Sequence, residues 1–415
     1  MLCVGVVAAA GPEPFTTPAN LSHYKPGDVI YTRKAAPPPL EKHAILADAV
    51  YQLLFRSSDS NNESIAAVTT LVIPKQPEVV RPLNSKGPPS HTILSYQAAQ
   101  DSVSLACSSS SLWGRNDSDS TTSSEGETAQ VIGWALYRGV YLVLPDWQGP
   151  HSSYGVGRLA GKVVLDSLRA VEHFQKLNGS QVLMYGASGG GHATAWASTM
   201  AASYAPELKV VGASFGGAPL DQEQLIRSAN DGPFSLYSAA SLLGLATQYP
   251  EVQAAVNKTK GPKEAAHLRM LTTPAACTNT SIADFGSIDV LSLFQGGSPL
   301  GNHNVQRALG RETLLPDRAA GFNIAVPRFP RYIFHSLLDE VAPHNDTLAY
   351  VKDQCKRGGD IVLDTYKGRG WPGLGNHSAA RYGVWSLPLG ALGFFLHGEK
   401  FGVPCGEGPP GFEEV

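Results

Sequence analysis

The stretch Gln181 to Met200, QVLMYGASGGGHATAWASTM, limits what this chain can fold into more than any other. Val182-Leu183-Met184-Tyr185 is a short apolar run, Gly186-Ala187-Ser188-Gly189-Gly190-Gly191 is a tight turn, and an Ala-rich helical pattern follows. Glycines on both sides of Ser188 let the turn force that serine into strained backbone geometry, where a Cβ two residues away would strike the flanking strand and helix. The hydroxyl is then expected above a sheet, at the N-terminus of the helix. There the N–H of Gly189 and the helix dipole can stabilise an oxyanion. The competing reading is an ordinary N-cap serine at a loop-to-helix junction; the strand before the turn and the helix after it favour the nucleophile.

The same rhythm runs through much of the chain. Thr92 to Tyr96 and Val140 to Leu144 read as buried strands, helices are expected over 128–138 and 158–177, and Lys209 to Ala213 is the next strand. Strands alternating with helices imply a parallel sheet wound by right-handed crossovers. Residues 11–40 are rich in proline and are expected to be irregular, while Ala47 to Phe55 and Ile65 to Ile73 form an antiparallel hairpin at the sheet edge. Pro74 closes that hairpin into a loop reaching Pro89, and Ser108 to Gly126 is a Ser/Thr/Asp-rich surface loop. From about 220 to 326 the alternation fails, so this stretch is expected to be a mostly helical insertion capping the sheet. Strands resume at Arg331 to His335 and Ile361 to Tyr366 around a helix over 343–357. A Gly-rich loop over 367–376 and a helix over about 379–396 follow. The expected organisation is a sheet core over 11–219, the cap over 220–326 and the rest of the core over 327–415.

Composition narrows the functional classes. The chain has 415 residues, a 43% hydrophobic share and a formal net charge of −3, with 16% charged residues and no basic stripe. Disorder is excluded and a nucleic-acid partner is disfavoured. Residues 1–10 form an apolar run ending in an A-x-A pattern without a charged start. They read as a signal-peptide remnant, with a buried N-terminal strand as the alternative. Arg138 and Pro388 interrupt the longest apolar stretches, so a soluble protein is expected. Sequons at Asn20, Asn62, Asn116, Asn178, Asn257, Asn279, Asn345 and Asn376 fit a secreted glycoprotein, with Asn376 expected to stay bare because it adjoins His377. Setting Cys3 aside leaves Cys107, Cys277, Cys355 and Cys405, an even set that can form two disulfides.

A serine nucleophile needs a base to take its proton and an acid to fix the base's tautomer. In an open α/β sheet all three must lie beyond the carboxyl ends of strands. Asp339 follows one strand and His377 follows the next, which gives the order Ser, Asp, His. Glu340 and Asp346 remain alternatives for the acid, although Asp346 falls in the crossover helix. His192, one helical turn after Ser188, is expected to be a structural histidine. His335 and His344 beside Asp339 complete no metal-ligand set at a usual spacing, and Asp146 reads as a structural acceptor. No cofactor and no metal are expected.

Several motifs together resemble the fungal secretory lipase family, from about Phe15 to about Cys405. They are Ser95-Tyr96-Gln97 with Asp101-Ser102, Ile132-Gly133-Trp134-Ala135-Leu136, Gly186-Ala187-Ser188-Gly189-Gly190 with His192-Ala193-Thr194, Ser203 to Leu208, and Asp339-Glu340-Val341-Ala342-Pro343. The resemblance implies a secreted α/β-hydrolase that cleaves carboxylic esters, with a mostly parallel central sheet and a helical lid. It places the triad on Ser188, Asp339 and His377 and the oxyanion hole on Asp101 and the Gly189 N–H. It also pairs Cys107 with Cys277 and Cys355 with Cys405. Ala187 departs from the family's usual tyrosine beside the nucleophile, which opens space there. The family's typical member carries a long C-terminal flap, whereas this sequence stops ten residues after Cys405. The family also resembles fungal esterases that deacetylate secondary metabolites such as trichothecenes.

The first expectation is therefore a lipase or carboxylesterase acting on acylglycerols and other fatty-acyl esters. Its partner is a small-molecule or lipid ester, with transient contact at a lipid interface, and the chain is expected to be a monomer. The second keeps the chemistry on an acetylated metabolite. A hydrolase-fold binding protein without catalysis would normally lack a triad member, and here all three are present.

Overall fold

The computed structural model describes residues 15–38, 41–81, 89–113, 125–274, 276–277, 285–320, 323–366, 377 and 386–408. The expectations for residues 1–10, for the loops at 114–124 and 367–376, and for the sequons at Asn116, Asn279 and Asn376 lie outside these. Strands β1 (Val29–Lys34), β2 (Ala47–Ser58), β3 (Ser64–Pro74), β4 (Val79–Val80), β5 (Ser90–Gln97) and β6 (Tyr141–Pro145) precede the elbow. Strand β7 (Gln181–Ala187) leads into it, and β8 (Lys209–Gly216), β9 (Arg331–Ser336) and β10 (Ile361–Tyr366) follow. They join in the order β1-β2-β3-β6-β5-β7-β8-β9-β10, with β4 paired to β5.

From β6 to β10 every neighbour in that order is parallel, whereas β1, β2, β3 and β6 pair antiparallel. A parallel sheet is covered on both faces, so its strands read as unbroken apolar runs. All seven residues of β7 are buried. Its side chains alternate between layers: Val182 and Met184 pack with Leu168 and Trp196 on one face, and Leu183 and Tyr185 with Leu142 and Phe334 on the other.

Four expectations need correction. Residues 11–40 are not wholly irregular, because β1 forms between Pro26 and Pro37, where Val29-Ile30-Tyr31-Thr32 is proline-free and rich in β-branched residues. The hairpin of β2 and β3 is consequently not at the sheet edge; β1 is. The loop after Pro74 also contains the short strand β4, and the expected surface loop from Ser108 to Gly126 opens with a helix over Ser109–Leu112, where Ser110 is buried, and ends inside the helix that starts at Glu125.

Among the described residues the helices are α1 (Glu41–Ala44), α2 (Ser109–Leu112), α3 (Glu125–Tyr137), α4 (Gly157–Gln175), α5 (Gly189–Tyr204), α6 (Gln222–Ala229), α7 (Ser235–Ala246), α8 (Pro250–Val256), α9 (Pro262–Met270), α10 (His303–Leu309), α11 (His344–Lys356) and α12 (Ser386–Leu396). Between β8 and β9 the described residues hold helices and isolated bridges. Their apolar faces, including Tyr237, Leu245, Phe294 and Leu309, join Leu159 and Val163 of α4 in one cluster. Disulfides join Cys107 to Cys277 and Cys355 to Cys405. Among the described residues no helix is long and apolar enough to cross a membrane.

The chain leaves β5 for β6 on one side and then returns to β7 on the other. That reversal makes the carboxyl ends of β5 and β7 the topological switch point, where an open α/β sheet presents its crevice.

Candidate active site

Ser188 follows β7 directly and holds φ 55° and ψ −125°. Such a conformation costs a non-glycine residue about 1–3 kcal/mol and persists only where the surroundings impose it. Here the Ser188 N–H donates to Gly216 O at 2.8 Å, tying the turn to the end of β8. Glycine is required at Gly190 because a Cβ there would overlap the carbonyl oxygen of Gln97 at the end of β5. The turn thus passes close against a neighbouring strand, and α5 starts at Gly189 with its N-terminus beside the hydroxyl.

Asp101 lies in the loop after β5, is 1% exposed and has φ 48°. A Cβ on Gly189 would stand 2.8 Å from Asp101 Oδ1 and 3.4 Å from the Trp147 ring. The Asp101 carboxylate and Gly189 therefore line one spot, backed by Trp147, whose Nε1–H donates to Ala98 O at 2.8 Å. Ser102 Oγ donates to Ala276 O at 2.6 Å, beside the Cys107–Cys277 bridge. Trp147 sits in a loop with no surrounding pattern, so the sequence carried no signal for its place here.

Ser188 Oγ is 2.7 Å from His377 Nε2. On the far side of the ring, His377 Nδ1 is 2.9 Å from Asp339 Oδ1 and 2.8 Å from Oδ2. Asp339 Oδ1 also accepts the N–H groups of Val341 at 2.9 Å and Ala342 at 2.8 Å. His335 Nε2 is 3.3 Å from Asp339 Oδ2. Burial by itself would raise the Asp339 carboxyl, but the charge and hydrogen bond of His377, with those of His335, more than reverse this and hold it well below the usual carboxylate range. An ionised carboxylate at Nδ1 fixes the tautomer that leaves Nε2 free to take a proton from Ser188.

The competing residues are engaged in other contacts. Glu340 accepts the main-chain N–H of His377 at 3.1 Å. Asp346 is in the helix His344–Lys356, pushed up to about 6 by burial and by Asp221. His192 Nδ1 bonds to Pro219 O at 2.8 Å, and burial lowers its pKa to about 4, so it is neutral and structural. Asp146 is buried, raised to about 6 by that burial, and accepts Ser110 N–H at 2.9 Å. His335 is engaged by Thr347 Oγ1 at 2.9 Å and Ala342 O at 2.9 Å, and its ring meets His344 edge-on at 5.5 Å. Among the described residues no group of His, Cys, Asp and Glu is placed to hold a metal ion.

A serine on a strand-to-helix turn, over the switch point of a mostly parallel sheet, is the layout of the α/β-hydrolases. Comparison with known proteins narrows the class. A sequence profile of the secretory lipase family matches residues 115–372. Lipase A of Moesziomyces aphidis is 33% identical over 86% of this chain and 76% of its own length. The trichothecene C-3 esterase of Fusarium sporotrichioides is 31% identical over 87% of this chain and 81% of its own. The closed-state crystal structure of Candida antarctica lipase A superposes with a TM-score of 0.87 at 30% identity, covering 98% of this chain and 91% of that one. The chain belongs to the secretory lipase family and is a carboxylic ester hydrolase of the α/β-hydrolase fold.

Proposed function

We propose that this protein is an extracellular serine esterase that cleaves fatty-acyl esters such as acylglycerols through Ser188, His377 and Asp339. The observation that carries this reading is the continuous contact from Ser188 Oγ to His377 Nε2 at 2.7 Å and from His377 Nδ1 to Asp339 Oδ2 at 2.8 Å, on a strained turn at a helix N-terminus. His377 takes the Ser188 proton as the oxygen attacks the ester carbonyl. Gly189 N–H donates to the oxyanion, with the main-chain N–H of Asp101 as the second donor. His377 then protonates the leaving alcohol, and a water activated by the same ring releases the acid. The helical stretch between β8 and β9 acts as the cap over the bound acyl chain. Extracellular placement rests on the secretory character of the family and on two disulfides, which persist in oxidising compartments.

A second substrate reading, an acetylated metabolite of trichothecene type, is favoured by the 31% identity to a trichothecene C-3 esterase. Hydrolysis of p-nitrophenyl esters from acetate to palmitate, with Ser188→Ala in parallel, separates the two. A maximum at medium or long chains, abolished in the variant, is expected. Activity confined to acetate would move the assignment to the deacetylase, and a fully active variant would overturn the mechanism.

A further inference from the structure

The turn after β9 carries two adjacent carboxylates, and they reach His377 at different places. Asp339 meets the imidazole at Nδ1, 2.8 Å away, while Glu340 Oε2 accepts the main-chain N–H of the same residue at 3.1 Å. We propose that Glu340 is a positioning residue: it holds the backbone of His377 while Asp339 orients the ring, so that one turn fixes the base from two sides. This rests on His377 acting as the base, as proposed above.

The turn itself is well anchored. Asp339 Oδ1 takes the N–H groups of Val341 and Ala342, Ser228 Oγ donates to Val341 O at 2.7 Å, and Ala342 O meets His335 Nε2 at 2.9 Å. Glu340 therefore extends from a fixed frame. Ring contacts at Nδ1 and Nε2 define the plane of the imidazole but leave the peptide that carries it free to shift along the segment. A main-chain bond to an acceptor oxygen on that fixed frame removes the freedom. Reactions of this kind are sensitive to placement, since a displacement of about 1 Å costs on the order of a hundredfold in rate. Glu340 is set against the backbone N–H and not against Nδ1, which makes it a support for the base and not a substitute acid.

The test compares Glu340→Gln, Glu340→Ala and Glu340→Leu with the wild type and with His377→Ala, measuring kcat, KM and thermal melting on one p-nitrophenyl ester. Gln retains an acceptor oxygen, whereas Ala removes it and Leu removes it while keeping bulk, so Leu carries the test if Ala folds poorly. The expected result is a loss of kcat of about ten- to a hundredfold in Ala and Leu at nearly unchanged KM, with Gln close to wild type. Wild-type kcat in Ala and Leu, or an equal loss in Gln, would overturn the role of Glu340 while leaving the triad intact. Full activity in His377→Ala would overturn the triad reading and this one with it.

Discussion

Two buried carboxyl groups in this molecule are driven in opposite directions, and their partners explain why. Asp339 is surrounded by His377, His335 and two main-chain N–H groups, and stays ionised despite its burial. Glu312 is also fully buried, but burial dominates and pushes it up to about 7. Its oxygens meet the Tyr249 hydroxyl, Ser60 Oγ at 3.5 Å and the Arg158 N–H at 3.0 Å, none of which supplies a full charge at contact. A raised carboxyl pKa means that the folded protein keeps a proton which the unfolded chain has lost. The contribution of Glu312 to stability is therefore complete below its ordinary value of 4.5 and is lost as pH rises through about 7. Glutamine mimics the protonated form at every pH. Glu312→Gln is expected to raise the melting temperature by a few degrees at pH 8 and to leave it nearly unchanged at pH 4, read by scanning calorimetry. A larger gain at pH 4 than at pH 8 would contradict this account.

At the level of elements, the loop after β5 is tied to a distant segment by two bonds. Ser102 Oγ donates to Ala276 O at 2.6 Å, and Cys107 is bridged to Cys277 across a sequence separation of 170. Asp101 immediately precedes Ser102, so this clamp supports the residue that lies over Gly189. The other bridge, Cys355–Cys405, spans a separation of 50 and joins the helix His344–Lys356 to the C-terminal segment. By loop closure alone their removal costs about 5 and about 4 kcal/mol respectively. Paired serine substitutions at Cys107 and Cys277 should lower both melting temperature and kcat, whereas those at Cys355 and Cys405 should lower chiefly the melting temperature. An equal effect of the two pairs on kcat would argue against a clamp on the Asp101 loop. Much of this element structure was legible in the sequence: the strand, turn and helix around Ser188 and the strand Ile361–Tyr366 are short apolar runs bounded by breakers. β1 was not, because surrounding prolines masked a short β-branched run. The place of Asp101 followed only from family resemblance, since it rests on a left-handed turn and on proximity to Gly189 across the chain. The bond from Glu340 to the His377 backbone was also hidden, because it joins segments that no local periodicity links.

For the whole molecule, the sheet topology gathers residues that are far apart in the chain. Asp101 follows β5, Ser188 follows β7, Asp339 follows β9 and His377 lies beyond β10. All are past the carboxyl ends of parallel strands, near the point where the strand order reverses. Helices between β8 and β9 cluster with α4, so this stretch packs onto the sheet core through a shared apolar cluster. The central claim is that Ser188 is the nucleophile and that His377 activates it. The most direct measurement is the reaction of the folded protein with a long-chain alkyl fluorophosphonate, followed by peptide mass spectrometry, in the wild type and in His377→Ala. The account predicts one phosphonyl adduct, on Ser188, accompanied by loss of esterase activity and formed far more slowly in His377→Ala. An adduct on a different serine, or equal labelling in both proteins, would contradict it.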